Sequence, residues 1–239
     1  MSPRARVVVV TGTDTGIGKT TVTRGLVRAI VRRGKDVLPL KWVETGCARD
    51  ETGELTPSDG LALARAAKRE HDIPWVSPLR FELPAAPAIA SRAEGRALSI
   101  EQLGTALDQA RAASELVVLE GAGGLLVPLT DERLFADACA TFGLHEMILV
   151  TRDGLGTINH TLLSFEALTR RGLHVRAVVV NRRTESEGTD GSGSLEALRA
   201  LLPQGLVLGP IPPSPGSADD DLAEAVEQAG LVDRVLDGS

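Results

Sequence analysis

Tyrosine is absent from the 239-residue chain, and aromatic residues make up only 3% of it. The core must therefore be assembled from Val, Leu, Ile and Ala, a composition that suits a parallel sheet buried on both faces. A chain of this length buries roughly 70–75% of its unfolded surface, and a single domain over 1–239 is the expectation. Cysteine is scarce: Cys47 and Cys139 are the two present, and they form neither a metal-binding spacing nor a disulfide framework. His71, His145, His160 and His174 show no catalytic spacing and read as structural. No basic block relieves a formal net charge of −6, which argues against nucleic acid as a partner. No apolar run approaches the ~20 residues a bilayer crossing needs, so no membrane partner is expected. The chain enters its first strand almost at once, so no signal peptide is expected, and the cytoplasm is the expected compartment.

What is present alternates. Val7–Val10, Val37–Leu40, Leu116–Leu119, Met147–Thr151 and Val175–Val180 read as strands, with another near Leu206–Leu208. Thr20–Arg33 carries Val22, Leu26 and Ile30 at i+4 spacing and is followed by Gly34 as a helix stop. Asp59–Arg69 reads as a helix with Ser58 as N-cap. Ser99 and Gln102 have capping-box spacing, opening a helix to about Ala113. Arg133–Phe142 and Thr157–Arg171 read as helices, and a short helix and an acidic final one come later. Residues 46–57 read as polar loop. Pro74, Pro78, Pro84 and Pro87 exclude a regular helix from 73–90. Residues 184–194, low in apolar content, read as a mobile loop. This order predicts an α/β fold of three layers, a mostly parallel central sheet with helices on both faces. Ligands in such folds bind beyond the carboxyl ends of strands, where Lys19, Lys41, Glu120 and Asn181 all fall.

The most informative stretch is Gly12-Thr13-Asp14-Thr15-Gly16-Ile17-Gly18-Lys19-Thr20, set between a strand and a helix. That context marks a phosphate loop, here with five residues instead of four between Gly12 and Gly18. Glycine-rich backbone and the helix N-terminus would cradle phosphates. Lys19 would reach the terminal phosphates, and the Thr20 hydroxyl would ligate Mg²⁺. Asp59 and Glu120 complete a candidate Mg²⁺ set of oxygen ligands. Lys41 is a second cation suited to an anionic substrate and a transferring phosphoryl group. Asn181 reads either as an adenine contact, with one donor and one acceptor face, or as a strand-end turn residue. Gly154–Asn159 reads either as an ordinary strand-to-helix turn or as a carboxylate site at a helix start.

These motifs together resemble the dethiobiotin synthetase family of P-loop NTPase proteins. Thr11–Thr20 fits that family's longer loop and Lys41–Gly46 its lysine motif. Ser58–Leu63 resembles its magnesium-site helix and Phe81–Leu98 its proline-rich segment. Glu120–Gly124 is similar to its Glu-Gly-Ala-Gly-Gly turn, and Gly156–His160 to its substrate-carboxylate turn. The resemblance spans roughly residues 5–213, in order. It implies ATP and CO₂ as co-substrates, Mg²⁺ as cofactor, and closure of a ureido ring on 7,8-diaminononanoate. It implies ATP contacts along Thr13–Thr20 and at Asn181, with Lys19 and Lys41 catalytic. It implies substrate contacts at Lys41, Thr45, Gly156, Thr157, Ile158 and Asn159, with the substrate bound across a homodimer interface. Four positions depart from the pattern: Gly16 stands where some members have glutamate, Trp42 where proline is common, Ala88 where histidine is frequent, and Arg182 where an acidic residue occurs. Trp42 bears on the carbamate pocket and Arg182 on nucleotide preference, and the sequence leaves the effect of both, and of Ala88, open.

Three other readings compete. A partitioning-type ATPase switch would carry an extra lysine early in the loop, where this chain has Thr13-Asp14-Thr15, and a membrane-targeting one a basic tail, where 219–237 are acidic. An amidotransferase would need a glutaminase domain, for which 239 residues leave no room. A small-molecule kinase would require a remodelled pocket at Trp42.

Overall fold

The computed structural model describes residues 5–184, 186–187, 193–213 and 218–237. Six strands build the central sheet: β1 (Arg6–Gly12), β2 (Val37–Lys41), β3 (Leu116–Glu120), β4 (Glu146–Arg152), β5 (His174–Asn181) and β6 (Val207–Ile211). Their spatial order is β6-β5-β4-β1-β3-β2, and every neighbouring pair is parallel. Side chains alternate across a strand, so the Val7–Val10 run serves two cores at once. Val7 and Val9 face one, Val8 and Val10 the other.

Helices cover both faces, as the three-layer expectation required. On one face lie α1 (Lys19–Arg32), α7 (Asp219–Gln228) and α8 (Leu231–Leu236), which bury Leu26, Ile30, Val226 and Val232. On the other lie α3 (Ile100–Ala113), α4 (Phe135–Thr141), α5 (Thr157–Arg170) and α6 (Ser194–Leu201), which bury Leu107, Phe135, Leu168 and Leu198. The helix α2 (Ser58–Ala66) contributes to both cores: Leu63 and Ala64 to one, Ala66 to the other.

Local signals account for several boundaries. Gly34 adopts φ +70° after α1; its N–H and that of Lys35 return to the carbonyls of Val31 and Ile30, a Schellman closure. The Ser99–Gln102 capping box is present, with both reciprocal bonds. The acidic helix α7 meets the arginines of α1. Arg24 pairs with Asp219 and Arg28 with Asp220. Helices α1 and α7 pack so closely that a Cβ at Gly25 would lie 2.6 Å from the Leu222 carbonyl oxygen.

Three expectations need correcting. Residues 46–57 are not all loop: Ala48–Arg49 pairs antiparallel with Leu55–Thr56, around a turn in which the Asp50 carboxylate accepts from the Thr52 and Glu54 N–H groups. The proline-rich 73–90 segment contributes to two short helices, Ile73–Val76 and Pro87–Ala93, each with proline in its first turn. Ser58 is not an N-cap but the first residue of α2, and its hydroxyl caps nothing. The loop expected over 184–194 falls mostly outside the described residues; its last residue, Ser194, opens α6.

Candidate active site

The carboxyl ends of β1, β2 and β3 deliver the site. After β1 the chain turns through Gly16 and Gly18, at φ +70° and +91°, values that favour glycine. The loop's own Lys19 and three partners outside it hold its carbonyls. Leu125 N–H donates to Gly12 O at 3.1 Å, Lys19 Nζ to Asp14 O at 2.7 Å, Arg183 Nη1 to Gly16 O at 2.9 Å and Asn181 Nδ2 to Ile17 O at 2.9 Å. Helix α1 begins at Lys19, so its unpaired first-turn N–H groups and positive dipole end open onto the same space.

That space is a cavity of about 410 Å³ whose walls include Thr15, Gly16, Gly18, Lys19, Thr20, Lys41, Thr45 and Asp59. Two lysines meet there. Burial pulls the Lys19 ammonium down to about 8, and the neighbouring charge of Lys41 acts in the same direction. Burial acts against the Lys41 ammonium too, but Glu120 and Asp59 outweigh it and raise its pKa above the ordinary lysine range. Lys41 Nζ donates to Asp59 Oδ2 at 2.7 Å and to Glu120 Oε1 at 2.6 Å. Thr20 Oγ1 donates to the same Glu120 oxygen at 2.8 Å. The other Glu120 oxygen is buried and has no partner among the described residues. The Thr20 hydroxyl and the Asp59 and Glu120 carboxylates, one Glu120 oxygen of which is unpartnered, are hard oxygen donors of the kind Mg²⁺ takes alongside phosphate, with Lys41 holding one oxygen of each carboxylate.

The remaining sequence candidates lie off this cavity. Ile17 is buried core. The Asp14 carboxylate folds back onto the Thr15 N–H at 2.7 Å. Thr13 faces the opposite side, towards Leu126 and His160. Asn181 is 1% exposed behind the loop, and its Oδ1 has no partner among the described residues. Gly156, Thr157, Ile158 and Asn159 open α5, away from the cavity walls; the Thr157 side chain is buried and donates to Arg152 O.

Sequence reasoning missed Glu44. Its carboxylate, 3% exposed, accepts from Asp59 N at 2.8 Å, Gly60 N at 2.9 Å and the Ser77 hydroxyl at 3.2 Å. It is the real cap of α2 and fixes the helix turn that carries Asp59. Gly60 is required there, since a Cβ would lie 2.5 Å from Ser77 Cβ. Burial raises the Glu44 carboxyl, although the two N–H groups favour its charged form.

A family model described as an AAA domain matches residues 6–220. The ATP-dependent dethiobiotin synthetase BioD of Anaeromyxobacter dehalogenans is 45% identical over 177 residues, covering 74% of this chain and 77% of that protein. The protein of that name from Chlorobaculum tepidum is 38% identical over 201 residues, covering 83% and 82%. This chain is an AAA-domain member of the dethiobiotin synthetase family. In solved structures, a chain of the MinC:MinD cell division protein complex of Aquifex aeolicus aligns with a TM-score of 0.54 at 16% identity, covering 98% of this chain and 97% of that one. That likeness shows the fold alone.

Two departures from the dethiobiotin synthetase pattern acquire a structural meaning. Trp42 does not line the cavity. It is buried, donates Nε1–H to Leu103 O at 2.9 Å and packs edge-on against Phe135. Arg182 pairs with the buried Asp153 at 2.8 Å.

Proposed function

We propose that the protein, an ATP-dependent dethiobiotin synthetase, carboxylates 7,8-diaminononanoate with CO₂ and closes the ureido ring at the expense of MgATP. One amine adds to CO₂ and loses a proton, giving a carbamate. A carbamate oxygen attacks the γ-phosphorus, ADP leaves, and a carbamic–phosphoric anhydride forms. The second amine attacks the carbamoyl carbon, phosphate departs, and loss of a proton leaves dethiobiotin. The observation that carries this reading is the buried Lys41 ammonium in the phosphate cavity, within reach of an acidic pair and beside Lys19.

Each residue has a role in that scheme. The Thr13–Thr20 backbone would wrap the phosphates, Lys19 would hold the terminal ones, and Lys41 would gather the charge of carbamate and transferring phosphoryl. Thr20, Asp59 and Glu120 would hold Mg²⁺, which when bound neutralises phosphate charge. Catalysis is then mainly positioning and electrostatics. We assign the base to Asn181, because an adenine amine would supply the donor its Oδ1 lacks. Thr45 is assigned to the diamine end of the substrate. The Gly156–Asn159 turn lies off its own cavity, which supports a homodimer in which it holds the substrate carboxylate for the partner. Leu126, Leu155 and Leu163 are exposed around this turn, an apolar surface suited to that contact. Among the described residues no helix is long and apolar enough to cross a membrane; we place the enzyme in the cytoplasm.

The test is direct. Purified protein with MgATP, bicarbonate and 7,8-diaminononanoate should yield ADP and dethiobiotin, both read by mass spectrometry. Lys41→Ala should keep nucleotide binding and lose turnover. Absence of diamine-dependent ADP release would overturn the assignment.

A further inference from the structure

Three hydroxyls, of Thr13, Thr151 and Thr157, run in a chain beneath the nucleotide loop, with that of Thr161 joining as a branch, and no catalytic step uses them. Thr151 on β4 is buried, as are Thr157 and Thr161 at the start of α5. Thr13 and Thr161 both donate to Thr151 Oγ1, at 3.4 and 2.9 Å. The Thr151 and Thr157 hydroxyl oxygens lie 2.7 Å apart, and Thr157 donates to Arg152 O at 2.6 Å. A hydroxyl carries one proton. Thr157 gives its proton to Arg152, so the proton between Thr151 and Thr157 belongs to Thr151. Every donor then has one acceptor, and the chain points one way, from the loop at Thr13 to the first residue of α5.

We propose that Thr151 is a positioning residue that couples the nucleotide loop to the Gly156–Asn159 turn. The proposal rests on the reading of that turn as the holder of the substrate carboxylate. Thr151 is cut off from water and its one proton goes to Thr157, so it has no replacement acceptor if Thr157 moves, while Thr161 remains as a second donor if Thr13 does. A shift of Thr13 as phosphates fill the loop, carried to Thr151 through their shared hydrogen bond, is then felt at Thr157, the first residue of the helix start that would face the carboxylate. In the homodimer proposed above, that turn serves the partner's cavity. The hydroxyl chain then links nucleotide in one subunit to diamine bound for the other.

The experiment measures, by calorimetry, the affinity of a non-hydrolysable ATP analogue with Mg²⁺, with and without saturating 7,8-diaminononanoate. In the native protein and in Thr151→Ser the diamine should shift that affinity by about fivefold or more. In Thr151→Val, with the hydroxyl gone and the shape kept, the shift should fall below about twofold, while each ligand still binds alone. Thr13→Val cuts the chain at its partly exposed end; because Thr13 belongs to the nucleotide loop, its analogue affinity without diamine is measured first, and the diamine-dependent shift, read as a ratio to that value, should fall below about twofold even if Thr151→Val folds poorly. An undiminished shift in the valine variants, or no shift in the native protein, overturns the coupling. Failure of the native protein to bind the diamine at all overturns the substrate reading, and the coupling with it.

Discussion

Lys41 is 5% exposed and its ammonium touches two carboxylates, one of them on the fully buried Glu120. Removing one member of such a pair leaves a lone buried charge, which costs about 3–5 kcal/mol. Lys41→Met should therefore lower unfolding free energy by about that much in urea denaturation. Adding Glu120→Gln to it should recover a large part, because the buried Glu120 charge is then removed together with its partner, while turnover stays absent. Equal instability of the single and double variants would contradict the ion-pair account. Lys19 makes a different prediction. With its pKa at about 8 in the free protein, it is largely neutral above that pH. Bound phosphates favour the ammonium, so nucleotide binding at pH 8–10 must take up a proton. ADP affinity in metal-free buffer should fall as pH rises past 8, by at most about tenfold per unit. Calorimetry in two buffers of different ionisation enthalpy reads the proton uptake, and a flat affinity from pH 7 to 9.5 would refute it.

At the scale of elements, two contacts between segments distant in sequence decide the geometry. Glu44 caps α2 and so sets where Asp59 points. Glu44→Ala strands the Asp59 and Gly60 N–H groups, an expected loss of about 2 kcal/mol. If Asp59 serves Mg²⁺, the Mg²⁺ concentration for half-maximal activity should also rise; unchanged Mg²⁺ dependence would detach Glu44 from the site. Gly25 is the second contact. A methyl there meets the Leu222 carbonyl oxygen at 2.6 Å, so Gly25→Ala should destabilise by about 1–3 kcal/mol in thermal or urea melts, despite alanine's better helix propensity. Both contacts show where sequence was legible. The β1 valines, the Gly34 stop and the Ser99–Gln102 box are local signals, and all three appear in the fold. The α2 cap was not local: its acceptor lies 15 residues before Asp59, and Ser58 looked sufficient. Trp42 could have been read correctly, because strand alternation sends it opposite Lys41 and hence into the core.

At the scale of the whole molecule, the phosphate cavity is complete within one chain, whereas the Gly156–Asn159 turn is not part of it. Sequence could place both motifs but not the distance between them, which the fold alone sets. If the turn holds substrate, it must do so for a cavity on another copy. Around it Leu155 is 83% exposed, Leu163 57% and Leu126 47%, and side chains of that kind gain from being covered. A two-fold contact is self-complementary, so a single substitution acts twice across it. Leu163→Glu should then set two like charges on the interface and convert a dimer into the 25.1 kDa monomer in sedimentation equilibrium. Nucleotide affinity should hold, since Lys19, Lys41 and Glu120 stay in one chain, while ring closure should fall by tenfold or more as about 1.4 kcal/mol or more of carboxylate binding is lost. A native protein that turns over fully as a monomer, or a monomeric Leu163→Glu with undiminished turnover, would place the carboxylate site elsewhere.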